Sequence, residues 1–122
     1  RVDLARTLAE AADTDLRDGR ALEGRAKLLE AHQLEPAFPT ALRQLVAMRA
    51  EAKDLTAAMR AIDMLEMVAP GPDAHFDRAR VLAQGGRLQD ALAIVRAILA
   101  TSPARLDVRE FEQALLRSLG SR

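Results

Sequence analysis

The two histidines, His32 and His75, are the side chains of this 122-residue chain best suited to acid–base or metal chemistry. They stand far apart in the sequence, and neither has a second ligand at helical spacing that would complete a metal site. Asp73 or Asp77 could orient His75, but a histidine base also needs a serine or cysteine nucleophile beside it. This stretch of the sequence contains neither. We therefore predict no catalytic residue and no metal site.

Other residues that often mark a chemical site are also weak signals here. The chain has no cysteine, which excludes disulfides, thiolate metal sites and cysteine nucleophiles. Gly85-Gly86 lacks the lysine and hydroxyl residue of a phosphate-binding loop, and no strand precedes it, so we interpret it as a turn. The four methionines fall at helical spacing, which favours packing over a pliable binding groove. We expect no cofactor.

The composition is that of a globular protein, with 49% hydrophobic and 30% charged residues. Acidic and basic residues balance at 18 each and form no basic stripe, which argues against a nucleic-acid partner. The longest apolar run, Ala91 to Val95, is far too short to insert into a membrane. The arginine- and alanine-rich composition favours a bacterial source, with a cytoplasmic or periplasmic location. Because the chain begins with Arg1, we expect a piece of a longer protein or a processed form.

Residues 85–103 contain the pattern around which the chain is organised: a glycine turn, an amphipathic helix and a closing proline. The same pattern ends at Pro36, Pro70 and Pro103, at intervals of 34 and 33 residues. The position twelve residues before each proline is small, and the position eight before is apolar. The small positions are Gly24, Ala58 and Ala91, the apolar ones are Leu28, Ile62 and Val95, and the turns fall at Gly19, Lys53 and Gly86.

This pattern resembles the tetratricopeptide repeat, a 34-residue helix–turn–helix unit in which a small residue, an apolar residue and a proline recur. The resemblance implies an all-α fold: a right-handed superhelical α-solenoid of about seven helices. We predict a single domain over residues 1–122, with repeats at about 5–38, 39–71 and 72–105. A last helix at about 106–119 is predicted to cap the third repeat, with Arg109, Glu112 and Arg117 facing away from it.

Apolar periodicity places the seven helices at about 2–17, 20–34, 39–52, 55–68, 73–84, 88–101 and 106–119. In the first helix, the leucines at positions 4, 8 and 16 and the alanines at 11 and 12 are predicted to face inward. The family's bulky aromatics are missing from the first helix of each pair. Asp15, Arg49 and Arg78 stand where apolar residues are usual, so we expect either partial exposure or a local offset of the helix phase.

The resemblance further implies that the first helix of each pair lines a concave surface that holds a peptide or protein partner. Arg43 and Arg80 are predicted to receive an acidic or amide-rich peptide, with Phe76 as an apolar anchor. Docking through an edge or the convex face is the alternative. The residues predicted to contact the partner are Arg6, Asp13, Arg43, Gln44, Glu51, Phe76, Asp77, Arg80 and Gln84.

One subset of the family clamps the C-terminal carboxylate of chaperones with lysine, arginine and asparagine side chains. The corresponding positions here include Asp13, Asp73 and Asp77, which would repel a carboxylate. We therefore predict that this chain does not bind such chaperone tails.

The function that these observations favour is a protein–protein interaction module within a larger bacterial protein. An accessory repeat domain of an enzyme, such as a glycosyltransferase or sulfotransferase, is the rival hypothesis. A self-associating scaffold is the third.

Overall fold

The computed structural model describes residues 2–120, with side chains from Leu4 onward. Over that range it contains seven α-helices and no strand, and each predicted helix end is confirmed to within one residue. The helices are α1 (Val2–Arg17), α2 (Ala21–Leu34), α3 (Phe38–Glu51), α4 (Leu55–Val68), α5 (Pro72–Gln84), α6 (Leu88–Thr101) and α7 (Leu106–Gly120).

The described residues form two compact units that divide between Pro70 and Gly71. In unit 1, α1 packs against α2 and α3 packs against α4, while α4 also contacts α2 and α1. In unit 2, α6 packs against both α5 and α7. Helix pairing is thus antiparallel and sequential, as short connections require. The single domain and its repeat boundaries stay predictions.

The two helices of each pair are joined by the same kind of turn. Gly19, Lys53 and Gly86 have positive φ angles of 82°, 61° and 82°. At each turn this residue donates its N–H to the carbonyl three residues earlier, and the next residue donates to the carbonyl five residues earlier. This is the Schellman motif, which satisfies the last carbonyls of a helix. Glycine adopts the angle freely, whereas a side chain such as that of Lys53 costs about 1–2 kcal/mol.

The predicted small and apolar positions of the second helices form the centre of each pair. Leu28, Ile62 and Val95 are all 0% exposed. Gly24 shows why the small position must be small: an added Cβ would lie 3.2 Å from the carbonyl oxygen of Ala12 on α1. Close approach of the two helix backbones therefore depends on these residues.

The predicted inward face of α1 is confirmed for Ala12, which is 0% exposed, and wrong for Leu4. Leu4 is 50% exposed, and the buried residues of the helix are three alanines and two aspartates. The alanines let α1 approach α2 closely, and cationic side chains pair with the buried aspartates and hold them inward. The helix is therefore rotated relative to the leucine pattern. The five buried residues are Ala5, Ala9, Ala12, Asp13 and Asp15.

Helix α7 covers α6 with Val108 and Leu115, which are 0% and 3% exposed. The predicted outward orientation of Glu112 is wrong, because its carboxylate lies 3.5 Å from the guanidinium of Arg96 on α6. The ion pair with Arg96 directs this side chain toward α6, the second helix of the third helix pair. The predicted orientation of Arg109 and Arg117 is not contradicted, since both are exposed.

Replacing Lys53 with glycine should stabilise the protein by about 0.5–1 kcal/mol. The change removes the strain of a positive φ angle, and the greater freedom of glycine in the unfolded chain offsets part of the gain. Thermal unfolding followed by circular dichroism measures the effect. The reciprocal change Gly86→Lys should lower the melting temperature, and equal melting temperatures for both variants would contradict the turn assignment.

Truncating a buried residue of α7 should be costly where truncating an exposed one is not. Leu115→Ala removes side-chain volume from a closed contact and should lower the free energy of unfolding by about 2–5 kcal/mol. Leu106→Ala is the matched control: Leu106 begins the same helix but is 69% exposed, so the change should cost less than about 0.5 kcal/mol. Chemical denaturation of both variants tests whether α7 is part of the fold or a tail.

Candidate functional site

A buried carboxylate ties three helices of unit 1 together. Asp13 on α1 is 3% exposed, and its two oxygens accept hydrogen bonds from Arg49 of α3 and Arg60 of α4, each at 3.0 Å. Arg17 lies 3.4 Å away on α1 itself. Arg49 also donates to the carbonyl oxygen of Ala57 on α4, at 3.0 Å. Because both oxygens are occupied, Asp13 positions these helices rather than meeting a partner directly.

The balance of forces on Asp13 keeps it ionised. Burial raises the pKa of its carboxyl, but the hydrogen bond from Arg60 and the positive charges of Arg49 and Arg60 outweigh burial and hold the pKa below its ordinary value. A charge this deep is tolerated in proteins only when it is paired and hydrogen-bonded.

Asp15 plays the same part between α1 and α2. It is 3% exposed and accepts hydrogen bonds from Lys27 at 2.5 Å and from Arg20 at 2.9 Å. Hydrogen bonds from Lys27 and Arg20 lower its pKa. The expectation that Asp15 is partly exposed is therefore wrong, because this residue is buried together with its counter-ions.

Four predicted contact residues in unit 1 lie at the protein surface. They lie on α1 and α3, the first helices of their pairs, and all four side chains are exposed to solvent. Two are cationic, one is an amide and one is acidic, so this surface could hydrogen-bond to either sign of charge. The four are Arg6, Arg43, Gln44 and Glu51.

In unit 2 the predicted anchor Phe76 is instead buried. Its ring is 4% exposed and meets the ring of Phe111 on α7 edge-on, with centroids 5.5 Å apart and planes at 84°. The guanidinium carbon of Arg80 lies 4.2 Å from the centre of the same ring. Edge-to-face rings and a stacked guanidinium are both favourable arrangements for an aromatic side chain. Phe76 therefore joins α5 to α7, and a partner could reach it only after one of the two guanidinium groups beside the ring, that of Arg80 or that of Arg105, had moved.

The remaining predicted contact residues of unit 2 lie along α5. Arg80 donates to the carboxylate of Asp77 at 2.6 Å, and Gln84 is exposed at the end of the helix. Sequence reasoning missed Arg105, which donates to Asp73 of α5 at 2.7 Å and to Asp107 of α7 at 2.6 Å. Its local signal is an arginine two residues before an aspartate, and nothing in the sequence points to Asp73.

Each unit also carries a surface groove. The groove of unit 1 has a volume of about 610 Å³ and a mixed lining of Leu16, Arg25, Arg60, Asp63, Glu66, Met67 and Pro70. The groove of unit 2, about 510 Å³, is mainly apolar and runs between α5 and α6, with His75 and Arg78 on its α5 side. The remaining residues of this second groove are Gly71, Pro72, Ile94, Ala97, Ile98 and Thr101.

The described residues offer neither a metal site nor a membrane-spanning helix. Within residues 2–120, no three acidic or histidine side chains come together in a way that could hold a metal ion. None of the helices described there combines the length and apolarity that a membrane crossing demands.

A solved structure with the same architecture decides the fold. The chain is similar to the first TPR of Spaghetti (RPAP3) bound to HSP90 peptide SRMEEVD, with a TM-score of 0.57, 13% sequence identity and 97% of each chain covered. This chain has a tetratricopeptide-like repeat fold. No protein-family model and no curated protein matches the sequence. At this identity the similarity concerns the tetratricopeptide-like fold, so the residues that bind must be argued from this chain.

Neutralising Asp13 should destabilise the tetratricopeptide-like unit 1. Asp13→Asn leaves Arg49 and Arg60 without their counter-charge and should lower the free energy of unfolding by about 3 kcal/mol at pH 7. Because the folded pKa is lowered, the stabilisation is fully present above the ordinary pKa of an aspartate and is lost as the pH falls through the folded value. The difference between wild type and variant should therefore shrink toward pH 3, as urea unfolding at several pH values would measure.

The matched control for this test is Asp18→Asn. The Asp18 side chain is 49% exposed and lies 3.4 Å from Arg20, so its loss should change the free energy of unfolding by less than about 0.5 kcal/mol. An equal effect of both substitutions would show that the contribution of Asp13 to the free energy of unfolding does not depend on its burial.

Proposed function

We propose that this chain is a non-catalytic protein-interaction module that binds a peptide or an extended segment of a partner protein. The observation that carries the proposal is the tetratricopeptide-like repeat fold, together with a structural neighbour that was solved with a bound peptide. Helix-pair repeats offer long, rigid surfaces on which peptides gain contacts without ordering the protein.

The binding residues we propose are those that the fold leaves exposed on the first helix of each pair. In unit 1 these are Arg6, Arg43, Gln44 and Glu51, and in unit 2 they are Arg80 and Gln84 with the half-buried Asp77. Asp13 and Phe76 position the binding residues and do not contact the partner themselves. Asp13 holds α1, α3 and α4 together, and the ring of Phe76 packs against the guanidinium of Arg80. Guanidinium and amide groups favour acidic or amide-rich peptides through charge-assisted hydrogen bonds.

The partner we propose is not a chaperone tail of the kind held by the structural neighbour. Of the positions where a carboxylate clamp would need cations or amides, one is the buried Asp13 and two are the aspartates of α5. Asp73 and Asp77 already accept hydrogen bonds from Arg105 and Arg80. A second carboxylate brought to them would meet like charge, which is destabilising.

Reversing the charge of Arg43 should weaken peptide binding with little effect on stability. The probe is a peptide selected from a displayed random library for binding to the whole chain, titrated by calorimetry. Arg43→Glu places an acid on the proposed surface and should raise the dissociation constant at least tenfold, about 1.4 kcal/mol.

Two controls accompany this measurement. Arg87→Glu reverses an exposed arginine at the start of α6, a second helix of a pair, and should change the dissociation constant less than threefold. The peptide SRMEEVD, which the structural neighbour binds, should not bind wild type at millimolar concentration. Equal losses of affinity for the two arginine variants would refute the assignment of the binding surface. Tight binding of SRMEEVD would refute the prediction that this chain does not bind chaperone tails.

A further inference from the structure

Arg105 occupies an arrangement of groups that is complementary to an arginine side chain. Its Nη1 donates to Asp73 at 2.7 Å, while Nη2 and Nε donate to the two oxygens of Asp107 at 2.6 Å and 3.2 Å. Its guanidinium carbon lies 5.6 Å from the centre of the Phe76 ring. Two carboxylates and an aromatic ring thus surround one cation, and we call Asp73, Phe76 and Asp107 the guanidinium cage.

The exposure of these groups separates the cage from the structural ion pairs of unit 1. The side chains of Asp73 and Asp107 are 72% and 55% exposed, whereas the carboxylate of Asp13 is 4% exposed. The Arg105 side chain is itself 28% exposed. Because Asp73 and Asp107 stay largely exposed beside Arg105, an incoming cation can reach both carboxylates and compete with Arg105 for them.

The chemistry of the cage selects a guanidinium over an ammonium. The two oxygens of Asp107 receive a pair of N–H groups in the fork geometry that only arginine presents, and the planar group also stacks on an aromatic ring. The hydrogen bonds to Asp107 and Asp73 raise the pKa of Arg105, and the hydrogen bond from Arg105 lowers the pKa of Asp107, which keeps Arg105 and Asp107 charged.

We propose that the guanidinium cage is a binding site for an arginine side chain of the partner, and that Arg105 fills it as an internal competitor. The proposal rests on the proposed peptide-binding function and adds to it the class of residue that unit 2 recognises. Arg105 directly precedes α7, and its side chain joins this end of the helix to Asp73 of α5. Binding of the partner arginine would then be in competition with a contact between α5 and α7.

The test uses methylguanidinium as the probe, titrated into the whole chain and followed by nuclear magnetic resonance at Phe76, Asp73 and Asp107. Arg105→Ala empties the cage, so saturable shifts are expected at millimolar probe, with an affinity at least tenfold higher than in wild type. Methylammonium at the same ionic strength should give no saturable shift. The triple change Arg105→Ala, Asp73→Asn, Asp107→Asn should abolish the response.

A structural role alone would give a different result. In that case Arg105→Ala would lower stability, yet methylguanidinium and methylammonium would act alike, and this overturns the proposal. Should Arg105→Ala fail to fold, Arg105→Gln keeps the side-chain length without the charge and answers the same question. The Arg43 titration is independent of the cage, so an unchanged peptide affinity in Arg43→Glu with an intact methylguanidinium response would count against the proposed peptide surface alone.

Discussion

The carboxylate of Asp13 is the constraint on which the packing of unit 1 depends. A charge this deeply buried must be paired, and its two shortest ion pairs bring Arg49 of α3 and Arg60 of α4 onto α1. The direction from which α3 and α4 approach α1 is therefore fixed by hydrogen-bond geometry as well as by apolar contact. Since hydrogen bonds are more directional than apolar packing, the pairing restricts the ways in which α1 can rotate.

The turns and the small residues act together with this constraint. A Schellman turn after the first helix of each pair reverses the chain direction, so that the second helix runs antiparallel to the first. The small residue of the second helix then determines how closely the two backbones approach. Gly24 and Ala12 meet where α1 and α2 cross, next to the buried Asp15. Close backbone approach brings the short side chain of Asp15 within reach of Lys27 on the facing helix.

Local signals predicted the helices well, because each helix end depends on residues within a few positions of it. Glycine, proline and the three turns could be recognised in this way. The face of α1 could not, because a buried ion pair looks like a solvated position until its partner is known. Asp13 finds its partners 36 and 47 residues away. For the same reason the sequence favoured Phe76 as an exposed anchor: its cover comes from Phe111, Arg80 and Arg105, two of which belong to a later segment.

The balance of 18 acidic and 18 basic residues conceals two populations of charge with different consequences for binding. Buried pairs such as Asp13 with Arg49 are fixed, because exposing either ion alone is costly. In the proposed binding mode, exposed pairs such as Arg105 with Asp73 are exchangeable, because the carboxylates stay open to water and to a partner's charge. A repeat protein of zero net charge can therefore still discriminate among charged peptides. It does so at the sites where a charged group of the partner replaces one member of an exposed ion pair. In this chain the exchangeable pairs of unit 2 border the first helix of its pair, α5, and the fixed pairs of unit 1 lie beneath α1.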